Sequence, residues 1–150
     1  MFARSKRSAS AFTRVAAKNP KADALIFLGD GCKDLEKVQD ALPMPVYPVH
    51  GNCDFGADLP DELVLDLGGA RIFCMHGHNY NVKSDLYRAV CAARARKAGL
   101  LLFGHTHQPL EMYDDGLYIL NPGSASGYRA SCALVDISEA GILTNIIYRN

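Results

Sequence analysis

The chain has no net charge, no C-x-x-C pair and no long apolar run, and each absence removes a class of protein. Lys plus Arg and Asp plus Glu both number 16, so no global field draws the chain to nucleic acid or an anionic membrane. No recognisable nucleic-acid motif is present either, which argues against sequence-specific nucleic-acid binding. Apolar runs last only a handful of residues, far from the roughly 20 that a membrane-spanning helix needs, so no membrane segment is expected. The five cysteines (Cys32, Cys53, Cys74, Cys91, Cys132) are odd in number and nothing resembles a signal peptide, which predicts reduced thiols and a cytoplasmic location. No acid precedes Asp23, while Arg4, Lys6, Arg7, Arg14, Lys18 and Lys21 are basic. A transit peptide or a nucleic-acid patch would fit that start, but an ordinary helix over 8–19 with Phe12, Val15 and Ala16 inward is the favoured reading.

What is present is enough for a core. At 150 residues, 49% hydrophobic, the chain has the size and apolar content of one domain, expected to span 1–150 without disulfides or a structural metal. Ala24 to Leu28 and Val46 to Val49 read as strands, the second near a sheet edge because of its prolines. Asp34 to Leu42 reads as a helix with Leu35, Val38 and Leu42 on one face. Glu62 to Leu67 and Arg71 to Met75 form a hairpin across Gly68-Gly69. Ser84 to Lys97 reads as a long helix with Leu86, Val90 and Ala93 inward and Arg88, Arg94, Arg96 and Lys97 left to water. Leu100 to Phe103 is another buried run. Asp114-Asp115-Gly116 marks a second hairpin turn, and strands 132–137 and 142–148 close the chain.

Five apolar runs end in a small residue beside polar ones: Gly29-Asp30, Gly51-Asn52, His76-Gly77-His78, Gly104-His105-Thr106-His107 and Asn121-Pro122-Gly123-Ser124. In open α/β sheets ligands bind beyond the carboxyl ends of strands, where glycine lets backbone approach closely. The first four of these loops offer Asp, Asn or His as ligands, donors that suit zinc, manganese, iron or nickel and not a soft thiolate site. Singly each loop reads as a turn, but their recurrence after strand upon strand points to one shared site.

Those blocks, G-D, G-N-C-D, H-G-H, G-H-T-H and N-P-G-S in that order, resemble the small phosphodiesterase branch of the calcineurin-like metallophosphoesterases. The resemblance implies a two-sheet β sandwich flanked by helices, an α/β fold, and a phosphoesterase, chiefly a phosphodiesterase, that attacks a small phosphate ester with a metal-activated hydroxide. By the same resemblance Asp30 bridges two divalent ions, with manganese the first expectation and zinc, iron or nickel the alternatives. Asn52, His76 and His105 complete one ion's shell, and His107 belongs to the other. Asp54 and His78 are expected to orient Asn52, His76 or the phosphate, and Gly123 and Ser124 to offer backbone N–H groups. Cys53 stands where relatives carry a histidine regarded as the leaving-group acid. The family's opening strand, ending in D-x-H, has no counterpart before residue 8, which leaves one ion four ligands and the other two. A competing expectation is a catalytically impaired scaffold of the same fold, binding a protein partner or self-associating through an exposed apolar patch.

Overall fold

A computed structural model describes residues 9–149, and in it three apolar clusters separate four layers of secondary structure. The first layer is helical: α1 (Ala9–Lys18) and the short α2 (Cys32–Glu36). The second holds β1 (Leu25–Phe27) paired in parallel with β2 (Val46–Pro48), and β8 (Ser131–Ser138) paired antiparallel with β9 (Gly141–Tyr148). Between the helices and these strands lies a core of Phe12, Ala16, Leu25, Phe27, Leu35 and Cys132, in which the Phe12 and Phe27 rings meet edge to face at 5.6 Å.

The third layer is a five-stranded mixed sheet in the order β3-β4-β5-β7-β6. Its strands are β3 (Glu62–Leu67), β4 (Ala70–Met75), β5 (Leu100–Leu102), β6 (Leu110–Asp114) and β7 (Leu117–Asn121). Strand alternation divides its side chains. Ile72, Cys74, Leu100, Leu102 and Leu120 face Ile26, Leu28, Val49 and Ala133 across the sandwich. Phe73, Met75, Leu101 and Ile119 face the fourth layer, where α3 (Tyr87–Ala95) buries Ala89 and Ala93. This is the expected sandwich flanked by helices, with one difference: among the described residues no ladder joins β1–β2 to β8–β9, so the second layer is two ladders and not a continuous sheet. No helix among the described residues is long and apolar enough to cross a membrane.

Three expectations need correction. The helix read over 34–42 is a five-residue α2 followed by a 3-10 turn at Gln39–Ala41. It starts early because the distant Asp54 carboxylate accepts hydrogen bonds from the Gly31 and Cys32 N–H groups, and it fails at Val38 (φ −128°, ψ −13°). Pro43 then holds Leu42 extended, at φ −78° and ψ 137°. The apolar face survives the break: Leu35 is buried, and Val38 and Leu42 pack against the same cluster.

The helix read over 84–97 contracts to α3 for a similar reason. Lys97 takes φ 55° and Ala98 N–H returns to Ala93 O at 3.0 Å, a left-handed stop reached without glycine. Nor are all four basic residues left to water. Arg96 lays its guanidinium 4.4 Å from the Phe73 ring centre and pairs with Glu62, which also accepts the Tyr80 hydroxyl at 2.5 Å. Arg94 binds the Asp114 carboxylate at 2.7 Å and two carbonyls of the β6–β7 turn. Arg88 and Lys97 stay exposed.

Both glycine-marked hairpins form as read. Gly68 (φ 61°) with Gly69 (φ 87°) and Asp115 (φ 42°) with Gly116 (φ 81°) supply the paired positive φ values of two-residue turns. None of the five cysteines is paired in a disulfide.

Candidate metal centre

Parallel pairing explains why the polar loops meet. β1 runs parallel to β2, and β4 to β5, so within each pair the carboxyl ends emerge on the same side. Asp30 follows β1, Asn52 follows β2, His76 follows β4 and His105 follows β5.

His76 is the hub. Its ring is fully buried, and Nδ1 donates to Leu28 O at 2.6 Å. With the proton held there, a neutral ring presents Nε2 as a lone pair. Around Nε2 stand Asn52 Oδ1 at 3.0 Å, His105 Nδ1 at 3.1 Å and Asp30 Oδ2 at 3.4 Å. Carbonyl and carboxylate oxygens cannot donate, so these four atoms share at most the one proton that His105 could bring. Lone pairs gathered in this way are what a cation satisfies. Neighbouring ligands on one ion, with bonds of about 2.0–2.2 Å, lie roughly 3.0–3.4 Å apart, so the spacing around His76 fits a shared metal. The donor set of one carboxylate, one amide oxygen and two imidazoles suits a borderline divalent ion.

The backbone around these groups is tight. A Cβ on Gly51 would fall onto the amide nitrogen and Oδ1 of Asp30, and one on Gly29 would sit 2.7 Å from Gly51 N and 2.8 Å from His76 Nδ1. Only glycine permits that approach. Asp30 (φ 63°), His105 (φ 65°) and His107 (φ 61°) are three of the six non-glycine residues with positive φ among the described residues, a conformation costing on the order of 1–3 kcal/mol each.

Asp54 maintains this arrangement, and not in the expected way. Its buried carboxylate accepts four backbone N–H groups, from Asp30 (2.6 Å), Gly31 (2.7 Å), Cys32 (3.0 Å) and Gly51 (3.0 Å). Burial alone would raise its pKa, but the four hydrogen bonds together pull it below the ordinary carboxylate value. Asp54 thus sets the backbone that carries Asp30. Cys53 N–H fixes Asp30 itself, donating to Oδ1 at 2.7 Å.

The G-H-T-H loop is held by a residue to which sequence reasoning gave no role. Asn121, fully buried at the end of β7, donates to Gly104 O at 3.0 Å and Thr106 Oγ1 at 2.9 Å, and accepts Gly123 N–H at 2.9 Å. Gly123 N–H is therefore spent inside its own loop instead of facing the site as expected. The N-P-G-S block was the visible signal, but its asparagine read as punctuation. His107 lies exposed further along the loop from His105. His78 is half-buried, its ring centre 5.3 Å from that of His76 and 6.2 Å from that of His105.

Both hub imidazoles are held neutral. Burial depresses His76 against the opposing pull of the Leu28 carbonyl and Asp30, and burial together with His76 and Lys83 pushes His105 down to about 4. A folded-state pKa below the unfolded one means that the unfolded chain takes up protons first as pH falls. Stability from the neutral rings is complete above the ordinary histidine value near 6.5 and declines from there toward pH 4. Urea midpoints are expected to fall between pH 7 and pH 4.5; equal midpoints would contradict this.

Comparison with known proteins agrees with this architecture. A family model described as the calcineurin-like phosphoesterase superfamily domain matches residues 5–140. The probable metallophosphoesterase YsnB of Bacillus subtilis (strain 168) is 35% identical over 108 residues, 72% of this chain and 63% of that protein, so the chain spans less than two thirds of that relative's length. Vps29 from Entamoeba histolytica, solved in complex with zinc, superposes with a TM-score of 0.76 at 23% identity, covering 99% of this chain and 96% of that one. An archaeal phosphodiesterase superposes with a TM-score of 0.75 at 14% identity, covering 97% of each chain. The two structural likenesses speak to fold alone, but the family match and the 35% relative go further: the chain belongs to the calcineurin-like phosphoesterase superfamily.

Proposed function

We propose that the chain is a metal-dependent phosphodiesterase for a small phosphate ester, with Asp30, Asn52, His76 and His105 as ligands of a divalent ion, Mn2+ first among candidates. The observation that carries this reading is the meeting of three other donor atoms within 3.4 Å of His76 Nε2. Such an ion, when bound, supplies Lewis acidity to a phosphoryl oxygen and acidifies water to a nucleophile. The chain's own residues prepare that chemistry. Asp30 brings the negative charge, Asn52 adds an oxygen without charge, and Leu28 O aligns the His76 ring. His107, exposed on the same loop, is proposed to face a second ion together with Asp30.

Saturation with Mn2+ followed by dialysis and elemental analysis, beside hydrolysis of a chromogenic aryl phosphodiester, tests the proposal. Retained metal with turnover supports it, and a chain that retains none overturns it. Cys53 lies exposed at the site, where a histidine would serve as leaving-group acid. Cys53→His is therefore expected to speed hydrolysis of alkyl esters, whose leaving groups need a proton, by about tenfold to a hundredfold. Aryl esters should gain little, and an equal gain on both would argue against the missing acid.

A metal-poor scaffold is the second reading. It is favoured by the apolar side chains that β9 turns outward, with Leu143 67%, Tyr148 56% and Ile147 37% exposed.

A further inference from the structure

Beside the proposed centre stands a second group of donors that this function does not use. Among the described residues, the His, Cys, Asp or Glu trio whose ligand atoms all fall within 4.8 Å of one another is His50, Asp61 and His78. From these residues we infer that the chain carries a separate divalent transition-metal site, of the kind zinc or cobalt occupies, on the flank of the proposed active centre.

Hydrogen bonding settles which atoms are open. His50 Nε2 lies 2.9 Å from the backbone oxygen of Asp54, a pure acceptor, so that nitrogen carries the proton. His50 Nδ1 is then a lone pair, and it lies 3.5 Å from Asp61 Oδ1, which is another acceptor. His78 joins the trio through a ring nitrogen, and its Nδ1 is buried with no hydrogen-bond partner among the described residues. Two imidazoles and a carboxylate left in this state make the three-ligand set typical of a zinc site with one position open. Imidazole donors select zinc, cobalt, nickel or copper over magnesium or calcium.

The trio is built on regular structure. His50 N–H donates to Pro60 O at 2.7 Å, which ties the loop after β2 to the residue before Asp61. Asp61 immediately precedes β3, whose Glu62 is in register with Met75, so His78 leaves the neighbouring strand just beyond. Each of two loops serves both centres: Asn52 and His76 point to the inner one, His50 and His78 to the outer. Asp61 and His78 also line a cavity of about 460 Å³ with Asn79, Tyr80 and Arg88, so the open position would meet a solvent-filled space bearing a cationic side chain.

Co2+ titration of the whole chain, read by its visible absorption and by bound metal per chain, tests the site. Asp61 is 64% exposed, so Asp61→Asn should leave the fold intact, and His50→Ala serves as the second variant. Both are expected to lose one class of bound cobalt, with affinity there falling by more than the roughly 10- to 100-fold that an outer hydrogen-bonding partner is worth. His76→Ala should spare that class and remove the inner one, so failure of either centre is read separately. Unchanged stoichiometry and spectrum in both Asp61→Asn and His50→Ala would overturn the inference and leave a plain His–Asp contact.

Discussion

His76→Ala is expected to abolish metal retention at the inner centre and to lower phosphodiester hydrolysis by about a thousandfold or more, because its Nε2 lies within 3.4 Å of donor atoms of Asn52, His105 and Asp30. The substitution also empties a fully buried position and leaves Leu28 O without its donor, so part of any loss could be structural. Asn52→Ala separates the two effects. Asn52 is exposed, and its oxygen points at His76, so truncation should leave the thermal midpoint nearly unchanged while activity falls about a hundredfold. Full activity in folded Asn52→Ala, with metal retained, would remove Asn52 from the site.

Asp54→Ala is expected to destabilise the fold by about 3–5 kcal/mol, which for a chain of this length lowers the thermal midpoint by roughly 10 °C or more. Four N–H donors lose a charged acceptor at once, two of them at the start of α2. Asp54→Asn should lose less, since an amide keeps one accepting oxygen but brings N–H groups toward other donors. Because the folded-state pKa is depressed, the carboxylate's contribution is complete above the ordinary value near 3.8 and is lost as pH falls through the folded-state value. The wild-type advantage over Asp54→Ala, measured by urea unfolding, should therefore persist at pH 5 and shrink near pH 3. A midpoint within a degree of wild type at pH 7 would show that the loop does not depend on this clamp.

Asp54 also shows where sequence reading stops. That a polar loop follows each strand was legible, because apolar runs and glycines are local signals, and so were the two-residue hairpin turns. Three of the four partners of Asp54, 22 to 24 residues back along the chain, were not, since a carboxylate hydrogen-bonding to backbone leaves no mark on residue type. Asn121 was hidden in the same way behind a turn-like Asn-Pro-Gly. The early start of α2 and the inward fold of Arg96 over Phe73 arise from contacts between layers that helical periodicity cannot register. His50 escaped notice for a different reason: it sits beside Asn52, and its chemistry depends on Asp61 and His78 arriving from elsewhere.

The mixture of ladders has a kinetic consequence. Among the described residues, the three antiparallel pairs, β3–β4, β6–β7 and β8–β9, are hairpins between neighbouring segments, whereas each parallel pair joins strands separated by a longer excursion of chain. Short-range pairs close cheaply, and long-range ones wait until loop-closure entropy is repaid. The proposed inner ligands all follow strands of the parallel ladders, so the hairpins can zip while Asp30, Asn52, His76 and His105 are still apart. Bound metal would then act chiefly as a brake on unfolding, with the refolding rate left almost untouched.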